Sequence, residues 1–178
     1  MFENPIDHAV KSQPKNSPDD STGSKVARAI SKPLPGLDFL RYYPDHRLMA
    51  WQPQGALDDV MLNDIADWLV DIEKASLPFR RFKRFVDFTQ LTIVAVRTDH
   101  VFEFARKRAQ QLTGVEPVQT ALFSANWVAF GVASVYESLV EGTLIEARAF
   151  RDLPSAADWL AIPVDVLTLK DWPTPPEP

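Results

Sequence analysis

From residue 38 to residue 162 the chain alternates short β-like runs with longer stretches of helical periodicity, and no other feature restricts the fold as strongly. Runs at 38–43 (DFLRYY) and 47–52 (RLMAWQ) flank Pro44-Asp45-His46, a turn signal, and read as a hairpin that Gly55 ends. Asp58 is placed to cap a helix over 58–75, and Asp59 lies in the first turn, where a carboxylate favours the helix dipole. Met61, Leu62, Ile65, Ala66, Trp68, Leu69 and Ile72 recur at helical spacing, with Asn63, Asp64, Asp67, Asp71 and Lys74 opposite. Pro78 closes the connection. Residues 82–88 read as a strand. Residues 91–96 read as another strand, or as an extended approach to a helix that Thr98 caps and that ends near Leu112 and Gly114. Its apolar side is Val101, Phe104, Ala105, Ala109 and Leu112.

Residues 118–125 are apolar on both alternating faces, the mark of a central strand covered on both sides. Asn126 or Ser124 caps a helix to about Val140, Gly142 breaks it, and 143–150 form a strand. Pro154 falls in the first turn of a short helix, 153–161, where its missing N–H is harmless. Residues 164–169 add a last edge strand. The order predicts a single α/β domain with a mixed, mostly parallel sheet of about five or six strands and about four helices.

That domain spans 37–170. Ten of the fifteen prolines lie outside residues 37–162. Residues 1–36, with few large apolar side chains to offset the ordering entropy, read as a disordered leader without signal or transit character. Residues 171–178 read as an extended, Pro-rich tail. Pro117 to Tyr136 holds no charged residue over twenty positions, nominally a bilayer span, but Gln119, Thr120, Ser124, Asn126 and Ser134 favour a strand, a turn and a buried helix. The expectation is a cytoplasmic protein with no transmembrane segment.

With no cysteine, disulfides, thiolate metal sites and cysteine nucleophiles are excluded. The net charge of −5 argues against nucleic acid as a partner, and residues 113–178, with nine acidic and three basic residues, hold the acidity. No phosphate loop, dinucleotide fingerprint or nucleophile elbow is present, and six scattered glycines build no phosphate cradle. His8, His46 and His100 lack metal-ligand spacing; Asp99-His100 is an acid–histidine pair without a neighbouring nucleophile. Asp58-Asp59 and Asp64/Asp67 read as capping and solubility groups. Two basic clusters stand out: Arg80, Arg81, Lys83, Arg84, interleaved with Phe79, Phe82 and Phe85, and Arg106, Lys107, Arg108. The phenylalanines read as core-facing, and the cations as a surface with a local anion contact as the alternative.

The C-terminal half carries a resemblance. Ala121-Leu122-Phe123, then Phe130-Gly131 with Ala133, Tyr136 and Leu139, then Arg148, Phe150, Arg151, Ala156, Ala157, Trp159 and Leu160 resemble the SpoIIAA-like family, a branch of the STAS-like and CRAL-TRIO-like α/β proteins. The run R-x-F-R-x-L-x-x-A-x-x-W-L is its most specific part, and Val86-Asp87-Phe88-Thr89 is similar to the family's strand end; the likeness spans about 38–162. Read physically, Gly131 inside a helix costs about 1 kcal/mol against alanine and suggests close helix–sheet approach, and Phe150 and Trp159 would seal the last helix onto the sheet edge. The resemblance implies an anti-sigma-antagonist type of switch, phosphorylated at a helix start. That register holds Ala95-Val96 with no hydroxyl, so Thr98 is the candidate phospho- or anion site. CRAL-TRIO relatives imply a lipid pocket, for which Trp51, Phe104, Trp127, Phe130 and Tyr136 are the candidate lining.

The expected function is a non-enzymatic STAS-like protein-interaction module, partnered with another protein or itself and needing no cofactor or metal. The alternative is a binder of a small apolar ligand or lipid. A cavity above about 300 Å³ would favour the ligand, and an exposed apolar patch of a few hundred Å² the partner.

Overall fold

The computed structural model describes residues 40–75, 82–112 and 116–168. The proposed leader at 1–36, the tail at 171–178, the Pro78 connection and the Gly114 stop lie outside these residues.

The hairpin forms. β1 (Leu40–Tyr43) pairs antiparallel with β2 (Leu48–Trp51), joined by a 3-10 turn at Pro44–His46 and by Arg47 at φ 47°. Beyond it, β4 (Lys83–Asp87), β6 (Val118–Phe123) and β7 (Ile145–Phe150) add in parallel, giving a five-stranded sheet in the order β1-β2-β4-β6-β7. Helices α1 (Asp59–Ala75), α2 (Thr98–Gln111) and α3 (Trp127–Val140) occupy the crossovers, and α4 (Leu153–Leu160) and α5 (Val164–Leu167) follow β7. The body is α/β and, among the described residues, has a mixed five-stranded sheet and five helices.

The period-two alternation of the strands sorts side chains between two layers. Met49, Trp51, Val86 and Leu122 face a core shared with α1 and α3, where Ile65, Leu69 and Ala133 are buried. Their neighbours Leu48, Ala50, Phe85, Ala121, Phe123 and Phe150 face the other side, closed by Ala156, Ala157 and Leu160 of α4 and Leu167 of α5. Each large apolar side chain buried this way contributes about 1.5–3 kcal/mol. Asp58 caps α1, its Oδ1 accepting from Met61 N–H at 2.9 Å, and Asn126 caps α3, accepting from Val128 and Ala129.

Several expectations are corrected. Residues 164–169 do not add an edge strand: Val164–Leu167 is a helical turn that buries Leu167 under the sheet. Gly55 does not end the second strand but opens a third, β3 (Gly55–Leu57), at φ +79°, where the missing Cβ avoids a steric penalty. β3 pairs in parallel with β5 (Leu91–Val94) in a separate two-stranded ribbon. Gly131 marks no close approach, since a Cβ there would meet nothing within 4 Å and the residue is exposed. Thr98 is not a cap. Arg97 holds that position without a side-chain capping bond, and its N–H donates at 2.9 Å to Asp59 Oδ1 at the start of α1. The uncharged run 117–136 is divided between β6 and α3, and no helix among the described residues is long and apolar enough to cross a membrane.

Candidate functional site

Among the described residues, the face covered by α1, α2 and α3 buries three charged side chains. Arg84 projects from β4, Glu73 from the last turn of α1 and Arg108 from the last turn of α2; they are 2%, 4% and 0% exposed. Each occupies a core-facing register of its own element: Arg84 alternates with Phe82 and Val86, Arg108 follows Val101 and Ala105, and Glu73 follows Leu69 by one turn. Arg84 Nη2 and Arg108 Nη2 both donate to Glu73 Oε1, the second at 2.6 Å. Arg108 Nη1 donates to Glu73 Oε2 at 3.2 Å and to Gln111 Oε1 at 2.8 Å. Among the described residues Glu73 is the one carboxylate in ion-pair contact with either arginine, so two cations share one anion out of water. Burial pushes Arg84 down to about 10, against the pull of Glu73 and with a push from Arg108.

Beside this triad lies a partly open cleft of about 70 Å³. Its wall is mostly apolar, with Leu57, Leu62, Ile65, Leu69, Val86 and Leu122 beside aromatic rings, and Arg84, Arg108, Thr120, Trp51 and Tyr136 are the lining residues that carry polar groups. Four side-chain atoms of these residues are buried without a hydrogen-bond partner among the described residues: Trp51 Nε1, Arg84 Nε, Arg108 Nε and Thr120 Oγ1. Thr120 is the direct register partner of Arg84 across β4 and β6, so the two stand side by side on one sheet face. Burial raises the Tyr136 phenol above its ordinary 10.0, while Arg108 and Arg84 hold it lower than burial alone would.

Of the five aromatics read from sequence as a pocket, the structure brings together three. Trp51, Phe104 and Tyr136 line the cleft, Trp51 edge-on to Trp68 at 5.9 Å and Phe104 tilted against Tyr136 at 5.4 Å. Trp127 and Phe130 do not join them. Trp127 is 73% exposed, in edge contact with Phe130, and the Arg151 guanidinium lies 3.5 Å from the Trp127 ring centre. Thr98 is exposed at the start of α2, away from the cleft lining.

His8, Arg80 and Arg81 lie outside the described residues, while several other sequence candidates have structural partners. His100 Nδ1 lies 3.4 Å from Asp59 Oδ1, and its Nε2 meets Arg97, so the histidine belongs to a junction between helix starts. Lys107 reaches Asp67 at 2.5 Å, and Lys83 donates to the Leu160 carbonyl. Asp87 ends β4, accepting from Thr89 N–H at 2.8 Å and from Gln52 Nε2 at 2.8 Å. Among the described residues no group of three or more His, Asp or Glu side chains is arranged to hold a metal. From sequence Arg84 and Arg108 read as surface cations, Thr120 only as one of the polar residues that argue against a bilayer span, and Glu73 is not singled out; the signal that finds them is a polar residue on an apolar stripe. The chain matches no protein-family model and no curated protein.

Proposed function

We propose that this domain is a non-enzymatic binding module whose cleft, between the sheet and helices α1 to α3, takes a small ligand with an apolar part. The observation that carries the reading is a mostly apolar wall whose lining residues include four buried polar atoms without a partner among the described residues. Ligand sites combine mostly apolar walls with a few convergent polar groups, whereas cores pair their buried polar atoms. The volume narrows the ligand. The cleft, about 70 Å³, falls well below the cavity of about 300 Å³ that would favour a lipid or drug-sized ligand, and since an apolar cavity of about 150 Å³ takes a benzene, it encloses only a short aliphatic group, any head group lying at its open side. In this reading the SpoIIAA-like resemblance supplies a frame and the cleft supplies the specificity.

The test is an NMR titration of the full chain with 1-butanol. Saturable shifts at the methyl groups of Leu57, Leu62, Ile65, Leu69 and Leu122 support the reading, and Ala133→Leu, which fills the cleft, removes them. Shifts confined to exposed Ile93 or Val60 would count against it.

A second reading, a protein-interaction module, rests on a different surface. Trp127 and Val128 at the start of α3 are 73% and 60% exposed, an unusual placement for adjacent large apolar side chains. If this face is the functional one, Trp127→Ala weakens self-association or partner binding while the cleft variant Ala133→Leu does not.

A further inference from the structure

Taking the cleft as a ligand site, as above, we propose that its ligand is a short-chain carboxylate whose carboxylate is held by Arg84 and Arg108 while its aliphatic part lies on the apolar wall. Charge comes first. Two guanidinium groups, nearly without exposure, share the carboxylate of Glu73, so among the described residues two buried cations face one anion. An unbalanced buried charge is among the costliest arrangements in a folded protein, and an anion relieves it.

The hydrogen-bond inventory points the same way. Trp51 Nε1, Arg84 Nε and Arg108 Nε can only donate, and the Thr120 hydroxyl can donate as well. A ligand that satisfies them must bring acceptors. A carboxylate has two oxygens, about four lone-pair sites and a planar shape that matches the guanidinium fork. Amines and other cations meet donors and positive charge, and are rejected. Inorganic phosphate brings more charge than the single surplus cation balances, and offers nothing to Leu62, Leu69 and Leu122 on the wall. Thr120 stands beside Arg84 on the sheet, so both donors can address one head group.

The test uses the full chain and three probes: sodium butyrate, 1-butanol and inorganic phosphate, each titrated by NMR at the arginine Nε–H and leucine methyl signals. Butyrate saturates, moves the Arg84 and Arg108 Nε–H signals, and binds at least about tenfold more tightly than 1-butanol, as expected for charge-assisted hydrogen bonds. Thr120→Val, which keeps shape and removes the hydroxyl, weakens butyrate severalfold and leaves 1-butanol unchanged. If 1-butanol binds as tightly as butyrate, the carboxylate assignment falls and the apolar cleft stands. If phosphate matches butyrate at the same arginine signals, the ligand class is wrong. If neither butyrate nor 1-butanol saturates, the cleft reading falls together with this one.

Discussion

Arg108 places both terminal nitrogens on the carboxylate of Glu73, at 3.2 and 2.6 Å, from 35 positions further along the chain. The contact joins the ends of α1 and α2 inside the core, and Arg84 ties the same carboxylate to the sheet. Removing one member of a buried ionic cluster leaves its partners charged and desolvated, at a cost of about 3–5 kcal/mol. Glu73→Gln is therefore expected to lose about that much stability in urea unfolding. A loss below about 1 kcal/mol would mean that water already reaches the arginines.

A second junction governs acid behaviour. Asp59 is held below its ordinary pKa of 3.8, first by the Arg97 backbone N–H, then by the Arg97 side chain, with His100 adding a smaller pull. A carboxyl group with a depressed folded-state pKa contributes stability that is full above its unfolded value and is lost as pH falls through the folded value. The melting gap between the parent and Asp59→Asn should stay constant from neutral pH down to about pH 5, then close as the pH drops below 4. Thermal melts from pH 7 to pH 2 check this. A gap that persists at pH 2 would show that geometry, not charge, holds the helix starts together.

The strand–helix alternation, the antiparallel edge hairpin and the caps Asp58 and Asn126 were all legible in the sequence, because each depends on local periodicity or on a short-range hydrogen bond. The ribbon of β3 and β5 was not. Its strands are three and four residues long and pair across a gap that includes the whole of α1, so nothing local signals them. The polar members of the site were hidden for another reason. Arg84 and Arg108 belong to basic runs, and sequence context suggests solvent, yet their registers on β4 and α2 point them inward. Only a buried carboxylate on a third element, α1, makes that burial tolerable, and such a partnership depends on tertiary structure.

The two helix starts make a matched prediction. Thr98 makes no capping bond, and the Arg97 N–H goes to Asp59 instead. Asn126 Oδ1 accepts from Val128 N–H at 2.8 Å and Ala129 N–H at 3.3 Å. Asn126→Ala should cost about 0.5–2 kcal/mol, and Thr98→Ala should stay within about 0.5 kcal/mol. Equilibrium denaturation of the two variants, run side by side, checks the difference. A Thr98→Ala variant that loses as much as Asn126→Ala would return the capping role to the threonine.

The aromatic residues divide by layer. Phe150 ends β7, is 7% exposed and packs against Trp159 of α4 with ring centres 5.6 Å apart, next to Phe123 and Leu160. Truncating a buried phenylalanine removes its transfer energy and leaves a cavity, typically about 3–5 kcal/mol. Phe150→Ala should therefore melt far below the parent. Trp127 is as large and lies 73% in solvent, its chief contacts being Phe130 and the Arg151 guanidinium. An exposed cation–π pair contributes about 0.5–1 kcal/mol, so Trp127→Ala should shift the unfolding free energy by no more than about 1 kcal/mol. The pair of variants also separates the two functional readings. Ligand binding in the cleft requires Trp127→Ala to bind butyrate like the parent, since neither Trp127 nor Arg151 lines the cleft. If Trp127→Ala folds normally but loses butyrate, the binding surface is the start of α3 and not the cleft over Arg84 and Arg108.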